Sequence, residues 1–421
     1  MIEHAQATAG AGHDVVIVGG GLVGASLAIA LSRIGMDAAL VEATPPGALP
    51  AVFDQRNLSF AEATVNALTA LGVMQRLASS PAPIRTIHVS RAGDYGRVRL
   101  RAREHGRDAF GQVVVASDFG AALEARLSEL PGLARYRPAR FIGFDDGDDQ
   151  ARVLRLALAD GREQRLRARL LVAADGAHSA VRAAIGIGAG SWDYGHDLFV
   201  ARMRGRHAPD GDAWERFGDH GPTALLPRGD GHYGVVHGVA RGEADAVAAL
   251  DDAAWLARVQ RAFGWRVGEF LGTGPRSRYP AVRLVASATT APRAALVGNA
   301  AQSLHPVGAQ GFNLGLRDAL TLAELLEQGG DPGSEALLAE YARRRAEDRR
   351  RTLEFSHGLA LATGQPAALA RPLRSAGMLA AARVPSLQGW LVGGAMGYRG
   401  EVPRLCRAPA AATVPPGAAP P

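Results

Sequence analysis

Gly298-Asn299-Ala300-Ala301-Gln302-Ser303-Leu304-His305-Pro306-Val307-Gly308-Ala309-Gln310-Gly311-Phe312-Asn313-Leu314-Gly315-Leu316-Arg317-Asp318 follows the short apolar run Ala294 to Val297 and leads into an amphipathic helix. An apolar strand, a turn of small residues, a Pro/Gly loop and a helix start bring backbone N–H groups to one place. The positive end of the helix dipole adds to them, so the place suits an anionic or polar ligand.

A second such place lies near the start of the chain. Asp14 to Val18 reads as a buried strand, Gly19-Gly20-Gly21-Leu22-Val23-Gly24 as a GxGxxG turn, Ala25 to Ser32 as helix and Asp37 to Glu42 as the next strand. In this βαβ opening Gly19 permits the tight turn, Gly21 lets the backbone approach a pyrophosphate, and Gly24 lets helix and strand pack closely. Glu42 ends the second strand, where a carboxylate can accept hydrogen bonds from ribose hydroxyls. A dinucleotide is the expected ligand, and the turn does not separate FAD from NAD. A third turn, Leu171 to Arg182, carries Asp175-Gly176 after an apolar strand and Ser179 as a capping residue.

The bulk properties bound the rest. The chain has 421 residues, a net charge of +6 and a single cysteine, Cys406, so an internal disulfide and a cysteine-rich metal site are excluded and no metal is expected. All the basic side chains that are not histidine are arginine; there is no lysine. The arginines are scattered and aromatics are few, which argues against a nucleic-acid partner. No run of about 18 apolar residues is present, so no transmembrane helix is expected; the lone cysteine is compatible with a reducing cytosol, and the expected location is cytoplasmic, with a peripheral place on the inner face of the cytoplasmic membrane as the alternative. The length predicts two domains and a tail. Residues 1–12 and 408–421 are expected to be disordered.

Between the three turns, Glu62 to Leu77 has helical spacing, Ile84 to Ser90 alternates as a strand with Val98 to Leu100 beside it, and Asp118 to Leu130 reads as a helix capped by Ser117 or Asp118. Arg140 to Phe144, Arg152 to Ala159 and Gln164 to Arg167 form a meander with turns at Asp146-Gly147 and Asp160-Gly161; Leu170 to Ala174 is another strand. Strands dominate from Trp192 to Val239, and Asp251 to Phe263 is helical. Helices are predicted from Gly311 to about Gln328 and from about Ser334 to Phe355.

With these residues in view, the chain resembles the single-component flavin hydroxylases of ubiquinone biosynthesis. The carriers are the GxGxxG turn, Asp54-Gln55-Arg56, Pro83-Ile84-Arg85-Thr86-Ile87-His88-Val89-Ser90, the Asp175-Gly176 turn, Glu215-Arg216-Phe217 through His220-Gly221-Pro222 to Leu226-Pro227, Arg278-Tyr279-Pro280 and the 298–318 segment. Such enzymes usually have Gly-Asp and a histidine where this chain has Gly298-Asn299 and Gln302. Asn299 can still accept a ribityl hydrogen bond, without charge. The two departures resemble the 2-polyprenyl-6-methoxyphenol branch.

The resemblance implies an α/β fold, a Rossmann-like FAD/NAD(P)-binding domain with an inserted mixed or antiparallel substrate sheet and C-terminal helices. It places a discontinuous FAD domain at 13–81, 112–190 and 276–330, a substrate domain at 82–111 and 191–275, and a helical region at 331–400. It implies non-covalent FAD held by Gly19, Gly21, Gly24, Glu42, Arg56, Asp175, Gly176, Gly298, Asn299, Pro306, Gly308, Gln310, Gly311, Phe312 and Asn313. NADH or NADPH and O2 are the implied co-substrates, and a polyprenylated phenol is the implied substrate. No second GxGxxG is present, so the nicotinamide is expected to bind transiently on the flavin domain. His305 and Gln310 are the catalytic candidates. His305 either helps to deprotonate the phenol or is satisfied by backbone groups in a tight loop. A polyprenyl substrate stays in a membrane, and Leu369 to Gly397 interleaves arginines with large apolar residues, so it either lies on a bilayer surface or packs on the flavin domain. A contact with other ubiquinone-synthesis enzymes is a further implied partnership. The rivals are a sister hydroxylase acting at another ring carbon, a flavin reductase, dehydrogenase or halogenase on the same fold, and a non-catalytic scaffold. No tryptophan has another two residues away, as a halogenase's W-x-W would require.

Overall fold

A computed structural model of the protein describes residues 12–364 and 371–407, without the side chains of 363 and 364. The expected disorder of 1–12 and 408–421 falls outside the described residues, save Gly12, which opens the first strand.

Two sheets organise the chain. The first has a parallel core in the order Ala294–Leu296, Glu163–Ala173, Gly12–Val18, Ala38–Val41, Ala134–Tyr136. Side chains alternate along a strand, and the first strand divides accordingly. Val15 and Ile17 join the helical core with Leu27, Leu31, Leu316 and Leu320. Val16 and Val18 join Phe141, Leu154, Leu156 and Leu166 of the meander on the other face. Burial of both faces makes this strand an uninterrupted apolar run, as in other parallel sheets.

The second sheet has nine strands, with Ser277–Ala286, Ala189–Gly205, Tyr233–Ala240, Gly221–Pro227, Asp212–Gly218, Thr86–Arg91 and Arg97–Arg101 in succession. One face is covered by the helix Asp252–Phe263, whose Trp255, Val259 and Phe263 pack on Phe199, Met203, Leu225 and Val235. Asp251 caps that helix by accepting from the Ala254 N–H at 2.7 Å. The other face is turned to the first lobe. The expected domain limit at 276 falls just before Ser277–Ala286, a strand that pairs in this second sheet. A small sheet of Asn57–Ala61, Gly111–Val115 and Ala82–Pro83 lies on the chain's path between the lobes.

Several expected boundaries move for physical reasons. The helix from Glu62 stops at Ala70: Gly72, at φ +77°, donates to Thr69 O while Val73 donates to Leu68 O, a Schellman end. The helix expected from Asp118 begins at Ala116 with Val115 at its cap position, and Asp118 instead accepts the Ala78 and Ser79 N–H groups, each at 2.9 Å. The meander does not turn at Asp146-Gly147. Its strand runs to Asp148, whose carboxylate takes the Gln150 and Ala151 N–H groups. Leu170 to Ala173 is the far end of Glu163–Ala173, which serves both meander and parallel core. The helices Gln310–Leu326, Glu335–Gly364, Arg371–Arg383 and Pro385–Ala395 complete the described chain. No helix among the described residues is long and apolar enough to cross a membrane.

Candidate active site

Three glycine-bearing turns meet at the carboxyl ends of the parallel strands, where open α/β sheets bind ligands. At Gly19, φ is +108° and a Cβ would lie 2.5 Å from Ala174 O; at Gly24 it would lie 1.9 Å from Gly19 O. Both glycines are demanded by close packing. Gly21 is different: a Cβ there would touch only Val52 at 3.7 Å, so its open side is free for a ligand. The Glu42 carboxylate accepts the Gly20 and Thr44 N–H groups at 2.7 Å each and forms one wall of a cleft with Pro50, Phe53 and Arg137. Each carboxylate oxygen keeps capacity for a further hydrogen bond.

Asp175 accepts from Ser179 Oγ and from the Val181 N–H at 3.1 Å, holding the short helix Ala180–Ala184. Gly176, at φ +89°, has no protein atom within 4 Å of a notional Cβ. Arg182 then ties this turn to the next one, donating to Ala177 O and Ala300 O, both at 2.9 Å.

The third turn is the opening segment. Gly298 has φ +59° against Val23, and Asn299 is exposed beside it. Pro306 starts a tight loop in which Gly308 has φ +70° and Ala309 φ +50°. Neither Gly308 nor Gly311 would bring a Cβ within 4 Å of any protein atom, so the space over the start of the helix Gln310–Leu326 is clear. The first N–H groups of that helix have no partner inside it. The side chains there look inward. Gln310 donates to Gly308 O at 3.1 Å. Asn313 accepts from Ala61 N and Thr64 Oγ1 and donates to Ser59 O and Ala309 O, using its full capacity within the protein. Phe312 packs on Phe60 and Phe119. Backbone rather than side chain is what Gln310, Phe312 and Asn313 offer a ligand.

His305 is almost fully buried at 2% exposure, and neither ring nitrogen is free. Nδ1 accepts the Val307 N–H at 3.2 Å, which leaves the proton on Nε2. Nε2 lies 3.0 Å from His196 Nε2 and donates to it; His196 Nδ1 in turn donates to Tyr194 O at 3.2 Å. Burial, with the second imidazole beside it, pushes His305 down to about 3, so the ring is neutral. The pair binds the flavin-side loop to the second sheet.

Two further contacts hold the lobes together. Arg56 grips Asp54 through Nε and Nη2 at 2.8 Å each and lies 4.2 Å over the Tyr279 ring, while Tyr279 Oη donates to Asp54. Burial raises the Asp54 carboxyl, but the hydrogen bonds from Arg56 and Tyr279 hold it below the usual range. The Asn57 amide occupies the space where Gly234 lacks a Cβ. His196, Tyr279 and Asn57 were not singled out in the sequence as site residues. They act by cross-lobe contact, which local spacing does not encode.

Gln302 faces away from the turn. It donates to Asp318 at 2.7 Å and accepts from Arg349 at 2.8 Å. Behind it, Asp318 pairs with Arg345 and Asp348 pairs with both Arg345 and Arg317, each at 2.7 Å and nearly or fully buried. The residue that departs from the usual histidine therefore belongs to a charge network under the loop.

The three turns fit FAD: Gly21 would leave room for a pyrophosphate, Glu42 would meet a nucleoside, and the clear helix start would take the isoalloxazine. The chain matches a family model described as an FAD binding domain over residues 12–356. It is 34% identical to the ubiquinone hydroxylase UbiL of Rhodospirillum rubrum over 94% of this chain and 92% of that one. It is 29% identical to the 3-demethoxyubiquinol 3-hydroxylase of Escherichia coli over 80% and 86%. The fold matches that of the p-nitrophenol 4-monooxygenase PnpA of Pseudomonas putida with a TM-score of 0.75, at 19% identity, over 93% of this chain and 99% of that chain. FAD is thus the cofactor and the protein is an FAD-dependent monooxygenase; the chain belongs to the family of the FAD-dependent ubiquinone hydroxylases.

Proposed function

We propose that the protein hydroxylates 2-polyprenyl-6-methoxyphenol to 2-polyprenyl-6-methoxy-1,4-benzoquinol, consuming NAD(P)H and O2. The observation that carries this reading is the clear space over the Gly308–Gly311 helix start, in a loop that His305 joins to His196 of the second sheet. When bound there, FAD supplies the reducing equivalents that activate O2. The protein's part is to hold the ring against the helix N-terminus, whose N–H groups favour negative charge on it, and to keep water out. His305, with its one ring proton committed to His196, serves this reading as the residue that fixes the loop.

A second reading, hydroxylation at another carbon of the same ring, is favoured by the names of the relatives, one of which is a 3-hydroxylase. Deleting the gene and extracting lipids from aerobic cultures separates the two. Accumulated 2-polyprenyl-6-methoxyphenol supports the first, a different accumulated phenol supports the second, and normal ubiquinone contradicts both. Gly311→Val tests the loop itself. A Cβ there meets no protein atom within 4 Å, so we expect folded protein that purifies with little flavin absorbance, and a fully yellow, active variant would refute the placement.

The polyprenyl tail needs an apolar route. Leu373 is 78% exposed and Trp390 50%, on the helices Arg371–Arg383 and Pro385–Ala395. We propose that these helices contact the bilayer surface, with Arg371 and Arg383 at the headgroups; a shared assembly with other ubiquinone-synthesis enzymes would sit there too. Truncation would be a poor test, because Cys406, beyond these helices, is 0% exposed in the main core. Leu373→Glu with Trp390→Glu should abolish flotation with anionic liposomes, and unchanged flotation would sink the idea.

A further inference from the structure

Glu215 is an acid without a partner. Among the described residues its carboxyl makes no hydrogen bond and no ion pair, yet it sits mid-strand on Asp212–Gly218, an interior strand of the second sheet. The register shows which way it points. Glu215 pairs with Ala224, Ala224 with Val236, and Val236 with Val200, while Val89 lies opposite Glu215 on its other side. Residues directly paired across strands share a face, so these five form one row. Val200 shares its face with Leu198 and His196, two and four residues back. His196 touches His305 in the flavin-side loop, and Tyr279, paired with Leu198, holds Asp54 and Arg56. The row therefore faces the FAD lobe. The opposite face, with Trp214 and Arg216, is the one covered by the helix Asp252–Phe263, where Arg216 donates to Ala262 O.

Its direct neighbours across the ladder are Val89 and Ala224, with Val236 and Val200 continuing the row, and none of them can donate a hydrogen bond from its side chain. Charged groups on the same face lie at its margins and are taken: Arg91 by Asp219 and Arg202 by Asp230. The residue is half-buried. An unpaired carboxylate in such a place is costly, and burial alone raises it to about 7. Acids kept in that condition are commonly the ones that exchange protons with a ligand.

We propose that Glu215 is the carboxylate that accepts the phenolic proton of the substrate; this rests on the phenol-hydroxylase reading above. The step is one proton transfer. The phenolic O–H bond breaks, a carboxyl O–H bond forms on Glu215, and the electron pair stays on the phenolic oxygen, from where it enriches the ring carbon to be hydroxylated. The ring carbon loses its own C–H proton to solvent as aromaticity returns, while the proton on Glu215 goes back to the phenolic oxygen, so Glu215 is unchanged over the cycle and no oxidant beyond the O2 of the proposed reaction is required. The surrounding apolar row suits the ring and its methoxy group.

The test uses the full-length flavin-loaded protein and its Glu215→Gln and Glu215→Asp variants, with 2-methoxy-6-methylphenol and its O-methyl ether as probes. Binding is read by calorimetry and turnover by hydroxylated product. Wild type should prefer the phenol to the ether by roughly tenfold or more, the scale of a hydrogen bond to a charged group. In Glu215→Gln the preference should fall to about twofold or less, with turnover down by on the order of a hundredfold, while Glu215→Asp keeps the preference. A Glu215→Gln variant that is flavin-loaded and retains the wild-type preference overturns the role of Glu215 and leaves phenol hydroxylation standing. A wild type that neither prefers nor hydroxylates the phenol overturns the functional reading, and the proposal with it.

Discussion

Two charge sites in this molecule, one buried and one half-buried, follow opposite rules. Beneath the flavin-side loop, Arg317, Arg345, Asp318 and Asp348 are interlocked, with Thr352, Gln302 and Arg349 adding hydrogen bonds. On the second sheet, Glu215 stands alone. In the first, burial of each ion is offset by partners on two helices, and the arginines hold the Asp348 carboxyl well below its ordinary range despite its burial. In the second nothing offsets burial, and the carboxyl is driven up instead. A paired buried charge fixes geometry; an unpaired one waits for a ligand. The difference teaches that charge alone marks neither structure nor function, and that partnership decides.

The comparison can be broken most forcefully at Asp348. Asp348→Ala would leave Arg317 and Arg345 without their shared acceptor, and loss of one partner of a buried ion pair costs about 3–5 kcal/mol. Urea unfolding should show that loss, and a variant within about 1 kcal/mol of wild type would mean that the network contributes little.

Glu215→Gln should move stability the other way. Its folded-state value of about 7 lies above the ordinary carboxyl range, so the folded state holds the proton more tightly. Stability is then full below pH 4.5 and falls as pH rises to about 7. The charged groups on its face, Arg91 and Arg202, are already paired. At pH 8 the glutamine variant should therefore be more stable by about 2–3 kcal/mol, with the gain gone at pH 4.5. Equal stability across that window would place Glu215 in contact with water or a cation.

His305 has the reverse sign. It is pushed down to about 3 by burial beside His196, so the folded state resists protonation and stability is lost as pH falls below 6.5. His305→Asn should flatten that acid limb by about 2 kcal/mol in thermal melts from pH 7 to pH 4. The smallest effect involves no charge. Ala309 lies at φ +50°, a left-handed conformation that favours glycine, and Ala309→Gly should gain about 1 kcal/mol. No gain would mean that the loop's shape is imposed at no local cost.

Much of the scaffold could be read directly from the chain. The first βαβ unit, the meander and the strands of the second sheet follow from apolar runs, alternation and glycine turns, because their causes are local. Ends were less legible: the helix after Glu62 stops at a left-handed Gly72, and Asp118 serves a neighbouring loop rather than its own helix. The three glycine turns were legible because glycine reports backbone demands. What escaped was everything set across lobes: His196 against His305, Tyr279 against Asp54, and the direction of Gln302. Glu215 was visible as part of a motif, but its isolation emerges only from the register of five strands.

His305–His196, Tyr279–Asp54 and Asn57–Gly234 are three fastenings, and each joins residues far apart in the chain. Modularity is the consequence. A hybrid that took its ring-binding sheet from one family member and its nucleotide-binding half from another would inherit mismatched fasteners unless the partners travelled together. Substrate preference in such a protein is thus exchangeable in units larger than a pocket lining, and the smallest exchangeable unit is the sheet together with the residues that dock it.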